Sequence, residues 1–169
     1  MLVPLETFTD IKLLPRNVNT DQRGVFRRVY DSEDGTFLPR QVSYSGNLNS
    51  GTLRGMHRLD EIKQEFKVVE CVAGCILDVI VDCRPYSINY LNHSAIEMSA
   101  SSDFAILIPP GFAHGYITLK PDSSLIYQMS VGYDPNFEIG IRWNDPKIGI
   151  IWPTRPIHVS VKDSTWPLL

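Results

Sequence analysis

The sequence predicts an all-β protein, a sandwich or small barrel folded as a single domain over residues 1–169, with little helix. Three observations carry this. Turn residues punctuate the chain about every 8 to 12 residues, at Asp31 to Gly35, Asn47 to Gly51, Gly74, Pro85, Pro110, Pro121 and Gly132. The stretches between them are β-branched, aromatic and apolar, and they alternate with period two. The length of 169 residues suits one core, and no repeat, low-complexity tract or Gly/Ser/Pro-rich linker divides it.

Taken in order, Phe66 to Arg84 reads as two strands joined by a tight turn at Ala73-Gly74, a hairpin. Phe104 to Ile108 is a short apolar strand. Pro109-Pro110-Gly111 then supplies type II turn chemistry, Phe112 to Leu119 resumes the strand, and Ser124 to Val131 returns. Alternation sorts the side chains into rows. Lys67, Val69 and Cys71 share one side, against Val68, Glu70 and Val72. Asp78, Ile80 and Asp82 oppose Leu77, Val79, Val81 and Cys83. Phe112, His114, Tyr116 and Thr118 form a row, and Tyr127 stands with Leu125 and Met129. Rows that mix titratable with apolar groups suit the inside of a small barrel holding one polar ligand, or else a solvent-facing surface.

Composition removes several functions. Sixteen Lys and Arg against nineteen Asp and Glu give a net charge of -3, so no basic surface is available and nucleic acid is excluded as a partner. The opening MLVPLETFTDIKLLPRN carries Glu6 and Asp10 where a signal peptide needs an apolar core. The longest apolar runs are about five residues, against the roughly 20 of a membrane helix. Cys71, Cys75 and Cys83 are odd in number and form no C-x-x-C pair, as expected of reduced thiols in the cytoplasm. The expectation is a cytoplasmic protein that does not meet a membrane.

Four histidines are present, His57, His93, His114 and His158. Barrel metal sites use two or three histidines with a carboxylate, the first two often one residue apart on a strand. His57 is instead followed by Arg58 and Leu59, which argues against a metal. Arg54, Lys67, His114, Tyr127, Tyr133 and Asp163 are the groups suited to proton transfer with it. An imidazole held by a carboxylate is a base near neutral pH, a tyrosine can return a proton, and a lysine can hold an oxyanion. Taken singly, Asp163 reads as a solvated charge, Tyr127 as core and His114 as a structural histidine rather than as proton-transfer groups. Strict alternation puts Arg54 and His57 on opposite faces unless Gly55 hosts a bulge.

An ordered series of motifs then runs almost end to end. It comprises Asp21-x-Arg23-Gly24-x-Phe26, Gly51-Thr-Leu-Arg54-Gly55-Met-His57, Lys67 ten residues on, Gly74 with Asp78-Val79 and Asp82-x-Arg84, and Ile108-Pro-Pro-Gly-Phe-Ala-His114-Gly-Tyr116. Tyr127, Tyr133-Asp-Pro135, Ile141-Arg142-Trp143-Asn-Asp145-Pro146, Trp152-Pro153 and Lys162-Asp163 close it. In these the chain resembles the dTDP-4-dehydrorhamnose 3,5-epimerase family, metal-free cupins that epimerise nucleotide-linked 4-keto-6-deoxyhexoses.

The resemblance implies a cupin-type jelly-roll barrel. It implies a homodimer that exchanges N-terminal strand segments and completes each nucleotide site from the neighbour. It assigns His57 as base, Asp163 as its orienting carboxylate, Lys67 as enolate stabiliser and Tyr127 as the opposite-face acid. Arg54 and Arg23 would hold the diphosphate or nucleotide. Phe26 falls in the matching segment beside Arg23, and Gln41, Ser43, His114 and Tyr133 would line the sugar and base region. No cofactor is implied, whether metal, nicotinamide or flavin. The implied activity is epimerisation at carbon 3, carbon 5 or both, in deoxysugar synthesis for a polysaccharide or glycosylated metabolite. The alternatives are a sugar-nucleotide 3,4-ketoisomerase, a non-catalytic sugar-nucleotide-binding cupin and a metal-dependent cupin oxygenase. Arg28, Arg58 and Leu59 depart from the family pattern, which commonly has glutamate at the first position and an aromatic residue then glutamine at the other two; nucleotide and sugar therefore stay open.

Overall fold

In the computed structural model, residues 1–34 and 36–169 are described; Gly35, last of the Asp31 to Gly35 turn residues, lies outside the described residues. The strands in chain order are β1 (Lys12–Pro15), β2 (Val18–Asp21), β3 (Gly24–Arg27), β4 (Gln41–Asn47), β5 (Thr52–Leu59), β6 (Lys67–Ala73) and β7 (Cys75–Asp82). They continue with β8 (His93–Ser99), β9 (Phe104–Ile108), β10 (Phe112–Thr118), β11 (Ser123–Met129), β12 (Glu138–Gly140) and β13 (His158–Val159). The α-helix described is one short turn near the C-terminus, α1 (Val161–Thr165).

Two sheets face each other. One has the order β1-β9-β6-β11-β4; the other runs β12-β5-β10-β7-β8, with β13 beside β5. From β4 to β7 each successive strand crosses to the opposite sheet, β8 stays as the antiparallel partner of β7, and β9 to β11 alternate again. This is the jelly roll, as the resemblance implied. β2 and β3 form a separate two-stranded hairpin.

The expected hairpin at Ala73-Gly74 is corrected by this topology. β6 and β7 lie in different sheets, so the turn is a corner between layers, and the Pro109-Pro110-Gly111 turn between β9 and β10 is another. Turn chemistry reverses the chain in either case; what decides is whether the next strand finds its ladder beside its predecessor or across from it. Gly74 has φ +68°, and a Cβ there would lie 2.2 Å from the Ser123 hydroxyl, so the corner admits no side chain.

The rows read from alternation hold. Val69, Cys71 and Leu125 from one sheet meet Ile76, Ile80, Phe112 and Tyr116 from the other in the central core. The reverse side of the six-stranded sheet is also covered: Val79, Val81 and Ala113 pack with Met56, Ile141 and Ile148 beneath the C-terminal segment. On the reverse of β6, Glu70 is buried between Arg16 and Arg27, each 2.9 Å away. These ion pairs fasten the roots of the β2–β3 hairpin to the barrel.

Candidate active site

The site begins with an irregularity in β5. His57 lies opposite His114 and Arg54 opposite Tyr116, so three steps on β5 answer two on β10. That is the bulge that alternation required, and it turns Arg54 and His57 to the same cavity. Gly55 makes it feasible: its φ is +138°, and a Cβ would fall 2.6 Å from the Gly115 Cα. The Gly55–Met56 peptide is cis.

The cavity, about 430 Å³, lies between the sheets, a size suited to a small-molecule ligand. Arg54, His57, Arg58 and Leu59 of β5, His114 of β10 and Glu138 of β12 line it from one sheet. Ser43 and Ser45 of β4, Lys67 of β6, and Tyr127 and Met129 of β11 line it from the other, with Glu65 and Tyr133 added from loops. A second cavity of about 490 Å³ adjoins it at His57 and Arg54 and is bordered by Asp163, Ser160 and Lys162.

His57 Nε2 lies 2.6 Å from Asp163 Oδ1. Asp163, 3% exposed, is held in turn: its Oδ2 accepts the Gly55 N–H at 3.2 Å and its own N–H donates to Ser160 Oγ at 3.0 Å. Burial pushes its carboxyl upward, but the hydrogen bonds and charge of His57, with those from Gly55 and Ser160, outweigh this and hold it below the ordinary value. It is therefore a carboxylate at neutral pH. Trp166 stands edge-on to His57 at 6.5 Å between ring centres, seated against Gly140, where a Cβ would come 2.0 Å from the indole.

Across the cavity, Lys67 Nζ lies 3.0 Å from Glu65 Oε2, both largely buried. The Tyr127 ring stands edge-on to His114 at 6.0 Å. Burial, reinforced by Tyr116 and Asp78, pushes the Tyr127 phenol well above its ordinary value, so it keeps its proton at neutral pH. His114 Nε2 and Asp78 Oδ2 form a second imidazole–carboxylate pair at 2.6 Å, both buried. Arg54 Nε donates to Asn47 Oδ1 at 3.0 Å, which fixes the guanidinium at the cavity wall. Among the described residues no three His, Cys, Asp or Glu side chains gather into a metal cage.

The sequence-derived residues distribute unevenly. His57, Lys67, Tyr127, Ser43, Arg54, His114 and Tyr133 line the cavity, and Asp163 backs His57. Gln41 stands behind the wall as a bracket: its Nε2 donates to Ser43 Oγ at 3.0 Å and its Oε1 accepts the Tyr133 N–H at 2.8 Å. Arg23 and Phe26 lie outside the cavity, on the protruding β2–β3 hairpin, where Phe26 is 70% exposed and Arg23 pairs with Asp21. Glu65, Glu138 and Ser45 were missed. Ser45 was signalled by its place two residues after Ser43; the two glutamates lie outside the traced strands and carried no signal beyond charge.

A family model described as dTDP-4-dehydrorhamnose 3,5-epimerase matches residues 6–169. The chain belongs to that family. A solved dTDP-4-dehydrorhamnose 3,5-epimerase from Bacillus anthracis, with TDP and PPi bound, is similar at a TM-score of 0.89 and 36% identity, covering 96% of this chain and 95% of its own. The dTDP-4-dehydrorhamnose 3,5-epimerase of Salmonella typhimurium is 33% identical over 100% of this chain and 96% of its own length. A Legionella pneumophila epimerase in complex with dTDP-4-keto-L-rhamnose has a TM-score of 0.86 at 28% identity, covering 94% and 87%. Within this family fold the departures at Arg58 and Leu59 fall on the cavity wall, while Arg28 lies beyond the β2–β3 hairpin and pairs with Asp31. No helix among the described residues is long and apolar enough to cross a membrane.

Proposed function

We propose that the chain is an isomerase that inverts carbon 3, carbon 5 or both of a nucleotide-linked 4-keto-6-deoxyhexose of the dTDP-4-dehydrorhamnose class, using no metal, nicotinamide or flavin. One observation carries the reading: a carboxylate-held imidazole on one sheet shares a cavity with a phenol and an ammonium on the other. The 4-keto sugar nucleotide held by the Legionella enzyme supports the same ligand class.

The ketone acidifies the carbon beside it by spreading charge onto oxygen. His57 takes the proton, the electrons of the broken C–H bond pass to the ketone oxygen, and Lys67 holds the enolate. Tyr127 protonates the same carbon from the other side, and solvent restores both groups. A positioned base contributes about 10²–10⁴-fold, and an oxyanion donor roughly 3 to 4 kcal/mol. Asp163 orients His57, and Arg54 takes the diphosphate. Ser43, His114 and Tyr133, the last braced by Gln41, line the sugar and base region.

The 169 residues act as one cupin domain, and the protein works as a cytoplasmic homodimer in deoxysugar synthesis. The exposed Arg23 and Phe26 support the dimer, since they reach a nucleotide only if the hairpin is lent to a neighbouring copy.

The test is incubation in heavy water with a panel of 4-keto-6-deoxy sugar nucleotides. Deuterium is expected on carbon 3, carbon 5 or both, and His57→Asn is expected to abolish uptake while leaving the fold intact. No uptake by the natural chain from any member of the panel overturns the reading.

A further inference from the structure

The carboxylate of Glu65 has no part in these proton transfers, yet it lines the cavity with a side chain only 8% exposed and lies 3.0 Å from Lys67 Nζ. The other carboxylate on the cavity wall, Glu138, stands on the opposite sheet from Lys67, where its Oε2 accepts from both the Tyr133 hydroxyl and the Lys162 ammonium. Leu59 and Met129, which share the wall, offer a ligand no side-chain hydrogen-bond acceptor comparable to a carboxylate. Glu65 is thus the anionic acceptor placed beside the group that receives the ketone oxygen.

We propose that Glu65 is a specificity-determining residue, accepting a hydrogen bond from the hydroxyl on the carbon next to the ketone while Lys67 holds the ketone oxygen; this rests on the function proposed above. In a 4-keto-6-deoxyhexose the ketone has two neighbouring carbons. Carbon 3 bears a hydroxyl, whereas carbon 5 bears the ring oxygen and the methyl-bearing carbon and offers no donor. The hydroxyl and the ketone oxygen stand on adjacent carbons, so an acceptor and a donor set side by side take both in one orientation of the ring. A carboxylate has about four acceptor positions and an ammonium three N–H groups. Glu65 and Lys67 can therefore keep their own bond and each bind the sugar.

The experiment compares kcat/KM for solvent deuterium uptake between a 3-hydroxy and a 3-deoxy 4-keto-6-deoxy sugar nucleotide. The natural chain is expected to favour the hydroxylated substrate by about ten- to a hundredfold, as for a hydrogen bond to a charged acceptor. Glu65→Leu is expected to bring the ratio to within about threefold of unity, and Glu65→Gln, which keeps shape and a neutral acceptor, to an intermediate value. A ratio rather than a rate is read, because loosening Lys67 slows both substrates alike. The inference is overturned by a ratio near unity in the natural chain or by an unchanged ratio in Glu65→Gln. Should Glu65→Leu fail to fold, those two measurements decide. Uptake from neither substrate by the natural chain removes the parent function, and this inference with it, a result distinct from a lost preference.

Discussion

The dyad of His57 and Asp163 shows how a residue's neighbours set its chemistry. Burial alone would make Asp163 a weak carboxylate, but the His57 contact and the Gly55 and Ser160 hydrogen bonds reverse the balance and leave its folded pKa below the unfolded 3.8. A carboxyl depressed by folding contributes stability that is fully present above its unfolded value and is lost as pH falls through the lower folded value. Asp163→Asn should therefore cost about 2 kcal/mol at pH 7 and progressively less as pH falls below 3.8, read from urea midpoints of the two proteins across a pH series. The pairing of His57 with Asp163 was legible in the motif series. Glu65 was not, because a lone glutamate ahead of a strand reads the same whether it points to water or to a lysine inside a barrel.

Strands were easier to read than their connections. The rows of β6, β7, β10 and β11 follow from alternation, and they place Lys67, His114 and Tyr127 on inward faces. Which sheet each strand joins was not legible, because the Gly74 corner and a hairpin use the same residues. The bulge in β5 lay between these cases: period two exposed a conflict between Arg54 and His57, and Gly55 marked where it could be relieved. Gly55→Ala tests the element directly. A side chain there meets the Gly115 backbone at a φ that L residues rarely adopt. The substitution should destabilise the protein by about 2 kcal/mol or more and lower deuterium uptake, through displacement of His57 and Arg54, further than the loss of folded protein explains. Thermal melting and exchange rates on the same preparation check this. The short elements β12, β13 and α1 escaped the sequence because tertiary packing holds them: Gly140 makes room for Trp166, which sits beside His57.

For the whole molecule, composition and punctuation identified the all-β class, and the alternation of strands between sheets makes it a jelly roll. Assembly is less legible in one chain, since Arg23 and Phe26 lie outside the cavity that their motif suggests. The hairpin roots are anchored through Glu70 to Arg16 and Arg27, while Phe26 is exposed, the surface that the proposed second copy would meet. Sedimentation should give a mass twice that of the chain. Phe26→Ala should raise KM several-fold with kcat little changed, because the residue would touch the nucleotide and not the reacting carbon. A monomeric mass with full activity would refute the shared site.

Imidazole and phenol are rooted in facing layers, so a ring lying between them meets one on each side. With the first as the proposed base and the second as the proposed acid, the direction in which hydrogen departs and the direction from which its replacement arrives would be written into the connectivity of the chain. On that reading, breathing of the barrel would slow or quicken turnover and leave the handedness of the product unchanged.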